Sequence, residues 1–373
     1  MTEILLWAGY FAVFAFLVHK GRSKDAVLSG SVGFGVQAFA YVATYISAVA
    51  LVGFGGLAHA YGLQMLLVAA GNVWFGTWAV YRFLAWPTRK WQERLGARTP
   101  AQLLGLGHGS PSLTRAMAFV FALFLGVYGS AVIKGAALLL AEILPVPVWA
   151  LIWLVAIIVG LTVFIGGLRG VLYTEAMQGV VMLVGMLMLV GAIFSKVGGP
   201  WEGMQALAAL PPSDLANNGF VSLSGGERGL FILSLVVVTS IAVWAQPQMM
   251  QRHFAIADPR QLKKTTPLAM FILTVLVGGA YFAAALSRLI LPEVASPDQV
   301  MPKLVQMLLP EFALHIFVLA IVSASLSTAT GIYHIAVSAL SEDLRGRPSN
   351  RLSWFTGIAI CVLVSGGCAQ IKG

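Results

Sequence analysis

Residues 33–56 read GFGVQAFAYVATYISAVALVGFGG, an apolar run with a polar patch, Ala43-Thr44-Tyr45-Ile46-Ser47-Ala48, in its middle. Gly33, Gly35, Gly53, Gly55 and Gly56 bracket that patch. A glycine lowers helix stability by about 1 kcal/mol against alanine. The pattern predicts a membrane helix unwound at the patch, with Gly53, Gly55 and Gly56 marking the break and carbonyls turned toward a ligand. Interrupted spans of this kind point to a transporter binding site. The same small residues also suit close packing between helices, and the stretch alone leaves both readings open.

Composition places the stretch in a bilayer. The chain has 373 residues, 59% of them hydrophobic and 10% charged, with a mean hydropathy of +0.87. A soluble domain carries about 25% charged residues because water must wet its surface. Less than half that share implies a single polytopic domain facing lipid, not two or three soluble domains. Cys361 and Cys368 lie close together on one apolar segment and form no disulfide framework or metal pattern. The start, Met1-Thr2-Glu3, lacks the basic region of a signal peptide, so the run ended by His19-Lys20 reads as a retained span.

About 20 apolar residues cross a bilayer as a helix. Ten segments qualify: 4–19, 28–61, 63–86, 114–141, 146–167, 170–195, 228–250, 266–291, 310–341 and 353–369. The second and ninth are too long for one straight span and should tilt, break or extend. Pro87 to Ser112 reads as a basic connector and Gly198 to Arg228 as a loop on the other side.

The formal charge of +9 raises the possibility of nucleic acid, but the charges are loop charges. Of the 23 Lys and Arg, seventeen fall in alternate gaps beginning with the one after the first segment. Lys196, Arg228, Arg288 and Lys303 fall in the remaining gaps. The bias puts the basic loops in the cytoplasm and the N-terminus outside. The partner implied is a lipid bilayer, not nucleic acid.

Polar residues at membrane depth carry the functional information. In the ninth segment Ala324, Ser327 and Thr328 share one helix face. Their oxygens, opposite carbonyls freed in the second segment, would form an all-oxygen pocket of the kind hard cations prefer. Ser and Thr also bond back to helical carbonyls, and the residues alone favour that plainer alternative. The seventh segment holds Thr239, Ser240 and Trp244 before Gln246-Pro247-Gln248. Pro247 removes a backbone donor and makes this a second interrupted span. Two such spans in corresponding positions suggest an inverted repeat, with segments 2–6 as one half and 7 onward as the other.

Two charges have a double meaning. Glu175, near the start of the sixth segment, is either a solvated helix-start acid or a functional one. Lys134, in the fourth segment some way inside Glu142, either snorkels or meets a solute. His334 alone among the histidines lies clearly within a span and reads as packed. No Walker loop, G-x-S-x-G or H-E-x-x-H occurs, so the chain does not read as an enzyme.

Four stretches together resemble the sodium:solute symporter family. They are Ala43 to Ala48, Gly166-Gly167 to Gln178, Gln246-Pro247-Gln248 through Gln251-Arg252, and Ser327-Thr328 through Ser341-Glu342-Asp343-Leu344. They occur in family order and at family-like spacing over nearly the whole chain. The second segment is most similar to the pantothenate and monocarboxylate branches, and proline carriers are also similar. The resemblance implies an all-α leucine-transporter-like fold: an extra N-terminal helix at 4–19, a first five-helix repeat over 28–195, and a second over 228–373. Family members usually carry more spans, so the second repeat is expected to lack its last helix here. Carried over, the main sodium site takes the carbonyls of Ala43, Ile46 and Ala324 with the hydroxyls of Ser327 and Thr328. Glu175 stands where the family usually has an Asp and is the candidate for a second cation.

The resemblance further implies sodium-driven import of a small polar solute, an organic acid, across the inner membrane by alternating access. Tyr45, Ser47, Ser240 and Trp244 are the candidate solute contacts, with Lys134 as partner for a carboxylate. An amino-acid carrier and a sensory input domain of the same fold are the alternatives.

Overall fold

The computed structural model describes residues 2–141, 144–224, 226–291, 294 and 296–370. Among these every regular element is helical. Helix α1 (Thr2–Lys20) buries only Tyr10, Phe14 and Val18, as a helix at the lipid-facing edge would.

Residues 21–33 are not helical, so the second segment opens at α2 (Phe34–Tyr45), later than the expected position 28. The Asp25 carboxylate causes the delay by accepting the Val27 and Leu28 amides at 3.0 and 3.2 Å. Helix α2 ends at Ile46, whose φ of −98° and ψ of 115° are extended. The chain re-coils in a π-turn, Val49–Gly53, and continues as α3 (Phe54–Tyr61). The opening therefore falls on Ile46-Ser47 inside the polar patch. Gly53, Gly55 and Gly56 do not make it; they lie within right-handed helix. The small size of Gly55 and Gly56 serves packing instead. A β-carbon on Gly55 would meet Met301 Cγ at 2.7 Å, and one on Gly56 the Pro297 carbonyl oxygen at 2.2 Å.

The third segment runs through α4 (Leu66–Val73), a π-run over Trp74–Ala85, and α5 (Trp86–Leu95). Pro87 does not stop it, because a first helical turn tolerates the missing N–H. Helix α6 (Pro100–Gly107) follows, capped by Thr99, so the Pro87–Ser112 connector is largely helical. Helix α7 is Pro111–Ala141 and α8 is Val148–Val197. Glu142 falls outside the described residues. The 50-residue α8 is broken at Gly167, where φ is 53° and a β-carbon would stand 2.8 Å from Ala26 Cα. Only glycine suits that position. Helix α9 (Pro200–Ala208) lies in the stretch expected to be a loop.

The seventh segment is interrupted as expected. Helix α10 (Gly229–Ser240) passes through a 3₁₀ turn to an extended Gln246, and Pro247 opens α11 (Pro247–His253). Helix α12 (Pro259–Leu273) starts before the expected 266 because Asp258 caps it, accepting the Gln261 amide at 2.9 Å. A π-turn leads to α13 (Gly279–Leu286), and the short α14 (Val300–Leu308) packs beside α3. Helix α15 (Glu311–Ser338) ends in a π-turn, Ala339–Asp343, and α16 (Arg351–Ala369) begins with an Asn350/Ser353 capping box.

Eight of these helical runs are long and apolar enough to cross a membrane. Ten segments reduce to eight runs because Val148–Val197 and Val49–Leu95 each join two of them, and α2 is short. Helix α15 is the axis, with every residue from Leu319 to Ser338 buried. Phe317, Ala320, Ile321 and Ala324 pack into one apolar cluster with α2, α3 and α13. Val322, Leu326, Ala329 and Ile332 pack into another with α7, the first half of α8, and α16. The polar face of α15 sits where these clusters meet.

Candidate functional site

Breaking α2 at Ile46 frees carbonyls that a continuous helix would use. The Ala43 carbonyl accepts the Ser327 hydroxyl at 2.7 Å, across from α15. The Ala324 carbonyl accepts the same hydroxyl at 3.1 Å and that of Thr328 at 3.0 Å. These alcohols bond back within α15, and Ser327 also reaches the broken helix. The Ala50 amide bonds to Ser47, not Ile46, which leaves the Ile46 carbonyl outside the helical ladder. Four oxygens from two elements are therefore gathered in a buried place. They are hard, neutral donors, suited to an alkali cation.

A cavity of about 240 Å³ opens beside the break. Tyr45, Ser47, Asn72, Thr239, Gln246 and Gln248 line it, and none of its lining side chains is charged. The sequence reading missed its organiser, Asn72. Asn72 Oδ1 accepts the Thr239 and Ser240 hydroxyls at 2.8 and 3.0 Å. The Tyr45 hydroxyl lies 3.1 Å from the same oxygen and donates to the Thr239 carbonyl at 2.8 Å. Through Oδ1, Asn72 thus holds Tyr45, Thr239 and Ser240 together at the cavity wall. An asparagine in the apolar third segment was the available signal, of the same kind that singled out Thr44 and Ser47.

The other expected solute contacts separate. Ser240 is fully buried and supports Asn72 from behind without lining the cavity. Trp244 is 38% exposed and donates to the Phe75 carbonyl at 2.9 Å, outside the lining. Lys134 is also outside it. It lies half-buried on α7 between Ile133 and Ala136, residues that pack toward α8 and α15.

Glu175 is not a solvated acid. It is fully buried and ion-paired with Arg252 on α11, also fully buried. Arg252 Nε donates to Thr44 Oγ1 at 3.1 Å, and its carbonyl accepts Gln37 Nε2 at 2.8 Å. The pair thus ties both interrupted helices to α8, just beyond the oxygen cluster. Arg252, a loop charge by sequence position, is therefore a buried one. His334 is packed, as expected, between Gln251 Oε1 at 3.0 Å and the Ala26 carbonyl at 2.8 Å.

At one end of the bundle Arg98 closes a latch. It holds Asp25 through two bonds of 2.8 and 2.9 Å and Glu342 through Nε at 2.6 Å. Gln102 and Thr99 hold Asp343 at 2.8 and 2.9 Å. Partial burial by itself would raise the Asp25 carboxyl, but Arg98 and the Val27 and Leu28 amides outweigh it and hold it below the usual value. Burial likewise opposes the Arg98 charge, and Asp25 with Glu342 more than offsets that.

The model of the sodium:solute symporter family matches residues 27–364. Sodium/pantothenate symporters of Haemophilus influenzae and Escherichia coli are 27% and 28% identical over 88% and 85% of this chain, which spans 69% and 65% of their length. A high-affinity proline transporter of Bacillus subtilis is 25% identical over 91% of the chain and 71% of its own length. A solved Na⁺-coupled sialic acid symporter, in a substrate-bound outward-open state, superposes with a TM-score of 0.77 at 16% identity. That alignment covers 99% of this chain and 82% of the other, so the two share the leucine-transporter-like fold. The chain is a multi-pass membrane protein that belongs to the sodium:solute symporter family, and sodium is its coupling ion.

Proposed function

We propose that this chain imports a small polar organic acid, of the pantothenate or monocarboxylate class, together with sodium by alternating access. The supporting observation is the Ser327 hydroxyl on the Ala43 carbonyl at 2.7 Å, which joins the broken α2 to α15 beside an uncharged cavity. In this mechanism sodium enters from outside and binds Ala43, Ile46 and Ala324 carbonyls with the Ser327 and Thr328 hydroxyls. Each inward charge gains about 2.3 kcal/mol per 100 mV. The ion pins α2 against α15 and shapes the cavity, and rocking of the core then opens it inward.

Solute hydroxyl or amide groups meet Tyr45, Ser47, Thr239 and the Asn72 amide. A carboxylate needs positive potential, and with Lys134 elsewhere it comes from the N-terminal end of the half-helix after Ser47 and from sodium itself. The basic loops face the cytoplasm and the N-terminus lies outside, in the inner membrane. The similarity to a proline transporter over 91% of the chain favours an amino acid as the second solute class.

Uptake into proteoliposomes decides between these. Labelled pantothenate, pyruvate, acetate and proline are offered with an inward gradient of sodium or of choline. One organic acid should accumulate only with sodium. Equal uptake in the two salts overturns symport, and proline alone accumulating overturns the organic-acid assignment.

A further inference from the structure

A second, larger cavity of about 750 Å³ lies away from the solute site, at the ends of several elements. His19 of α1, Arg22, Lys24 and Asp25 of the following extended segment, Arg98, and Arg351 at the start of α16 line it. The cations are not evenly matched. Asp25 is committed to Arg98, and among the described residues no carboxylate forms an ion pair with Arg22, Lys24 or Arg351. All three are exposed.

Phe164, Ile165 and Trp354 add an apolar wall. Arg351 stands over the Phe164 ring at 5.9 Å, and both also line an adjoining groove of about 370 Å³ with Leu352 and Phe355. Leu352 is 73% and Phe355 56% exposed. A basic mouth therefore runs directly into an exposed apolar channel. Its level is set by Lys20 ending α1, Gly167 breaking α8 and Arg351 starting α16, which is where a membrane's headgroups meet its acyl chains.

We infer that this cavity and groove together bind a phospholipid with an anionic headgroup. The phosphodiester sits among Arg22, Lys24 and Arg351, and one acyl chain lies along Phe164, Leu352 and Phe355. Basic pockets between membrane helices recognise anionic headgroups through this combination of charge and depth. A soluble phosphate would use the mouth but leave the groove without a role.

Native mass spectrometry of the whole detergent-purified chain tests this with three probes: phosphatidylglycerol, phosphatidylcholine and inorganic phosphate. Phosphatidylglycerol should be retained and phosphatidylcholine lost. Arg22→Gln, Lys24→Gln and Arg351→Gln should each weaken retention by about fivefold, whereas Lys196→Gln and Lys303→Gln, outside the cavity, should not. Arg351→Lys should keep most of the retention, which separates loss of charge from loss of fold. Equal retention of the two lipids, or an unchanged phosphatidylglycerol signal in the triple Gln variant, overturns the site. Full displacement of phosphatidylglycerol by inorganic phosphate overturns the lipid assignment in favour of a soluble anion.

Discussion

Arg98 and Glu342, 244 positions apart, meet through an Nε–Oε1 bond of 2.6 Å, and the same guanidinium holds Asp25. One side chain thereby joins the segment before α2, the connector before α6 and the end of α15. In the proposed alternating-access cycle, such a bridge stabilises the closed form of its end of the bundle. Arg98 is 29% exposed and Glu342 only 2%, so the bridge contributes about 1–2 kcal/mol. Arg98→Gln should therefore favour opening. With Cys361 and Cys368 changed to Ser, a Ser341→Cys reporter, buried in this structure, should react with a thiol reagent about tenfold faster in the Gln variant. Unchanged reactivity would remove the latch from the mechanism.

Acid should loosen the latch. Asp25 has its carboxyl held below the ordinary 3.8, so its contribution is complete above that value and lost as pH falls through the lowered one. Below about pH 4 the reactivity of the Ser341→Cys reporter, corrected for thiolate fraction, should climb, whereas from about pH 5 to 8 the Asp25 contribution is complete. Asp25→Asn should raise it across that whole range.

At the oxygen cluster, Ser327→Ala removes a proposed ligand and leaves the Ala43 carbonyl without its partner. The sodium concentration for half-maximal uptake should rise about tenfold, with a similar rise for Thr328→Ala. Solute affinity measured at fixed sodium should fall by the linked factor, since coupling is reciprocal. A loss of solute affinity with sodium affinity intact would move the ion elsewhere.

The cavity makes opposite predictions for two residues. Asn72→Ala strips the acceptor from Thr239 and Ser240 and the donor from the solute, so KM should rise about tenfold. Lys134→Met should leave KM for an anionic solute unchanged, because Lys134 lies outside the lining. A KM increase for Lys134→Met with normal folding would restore it as the carboxylate partner.

The Arg252–Glu175 pair should dominate stability. Arg252→Met leaves a buried carboxylate uncompensated, costing about 3–5 kcal/mol, and adding Glu175→Gln should recover much of it. Gly331 packs against this pair; a β-carbon there would stand 2.8 Å from Arg252 Nη2. Gly331→Ala should cost about 1–3 kcal/mol. Thermal unfolding of the purified variants, followed by size-exclusion, measures all three.

Local chemistry determined a good deal by itself. The polar patch at Ala43–Ala48 broke its helix, and Pro247 broke another, because both effects depend on residues within a turn of the break. Apolar length located the bilayer-crossing runs for the same reason. The shared face of Ala324, Ser327 and Thr328 was likewise a property of helical spacing.

Partnership across the bundle was decided by tertiary structure alone. Nothing within a turn of Arg252 shows that α8 will deliver Glu175 to it, so a buried charge read as a loop charge. Nothing near Asn72 shows that Thr239 and Ser240 will converge on it, nor that Lys134 will lie outside the cavity lining. The glycines at 55 and 56 proved to be small for Met301 and Pro297, neighbours far along the chain. Packing sets which faces meet, and in lipid that choice depends on the fit of whole helices, not on any one stretch of sequence.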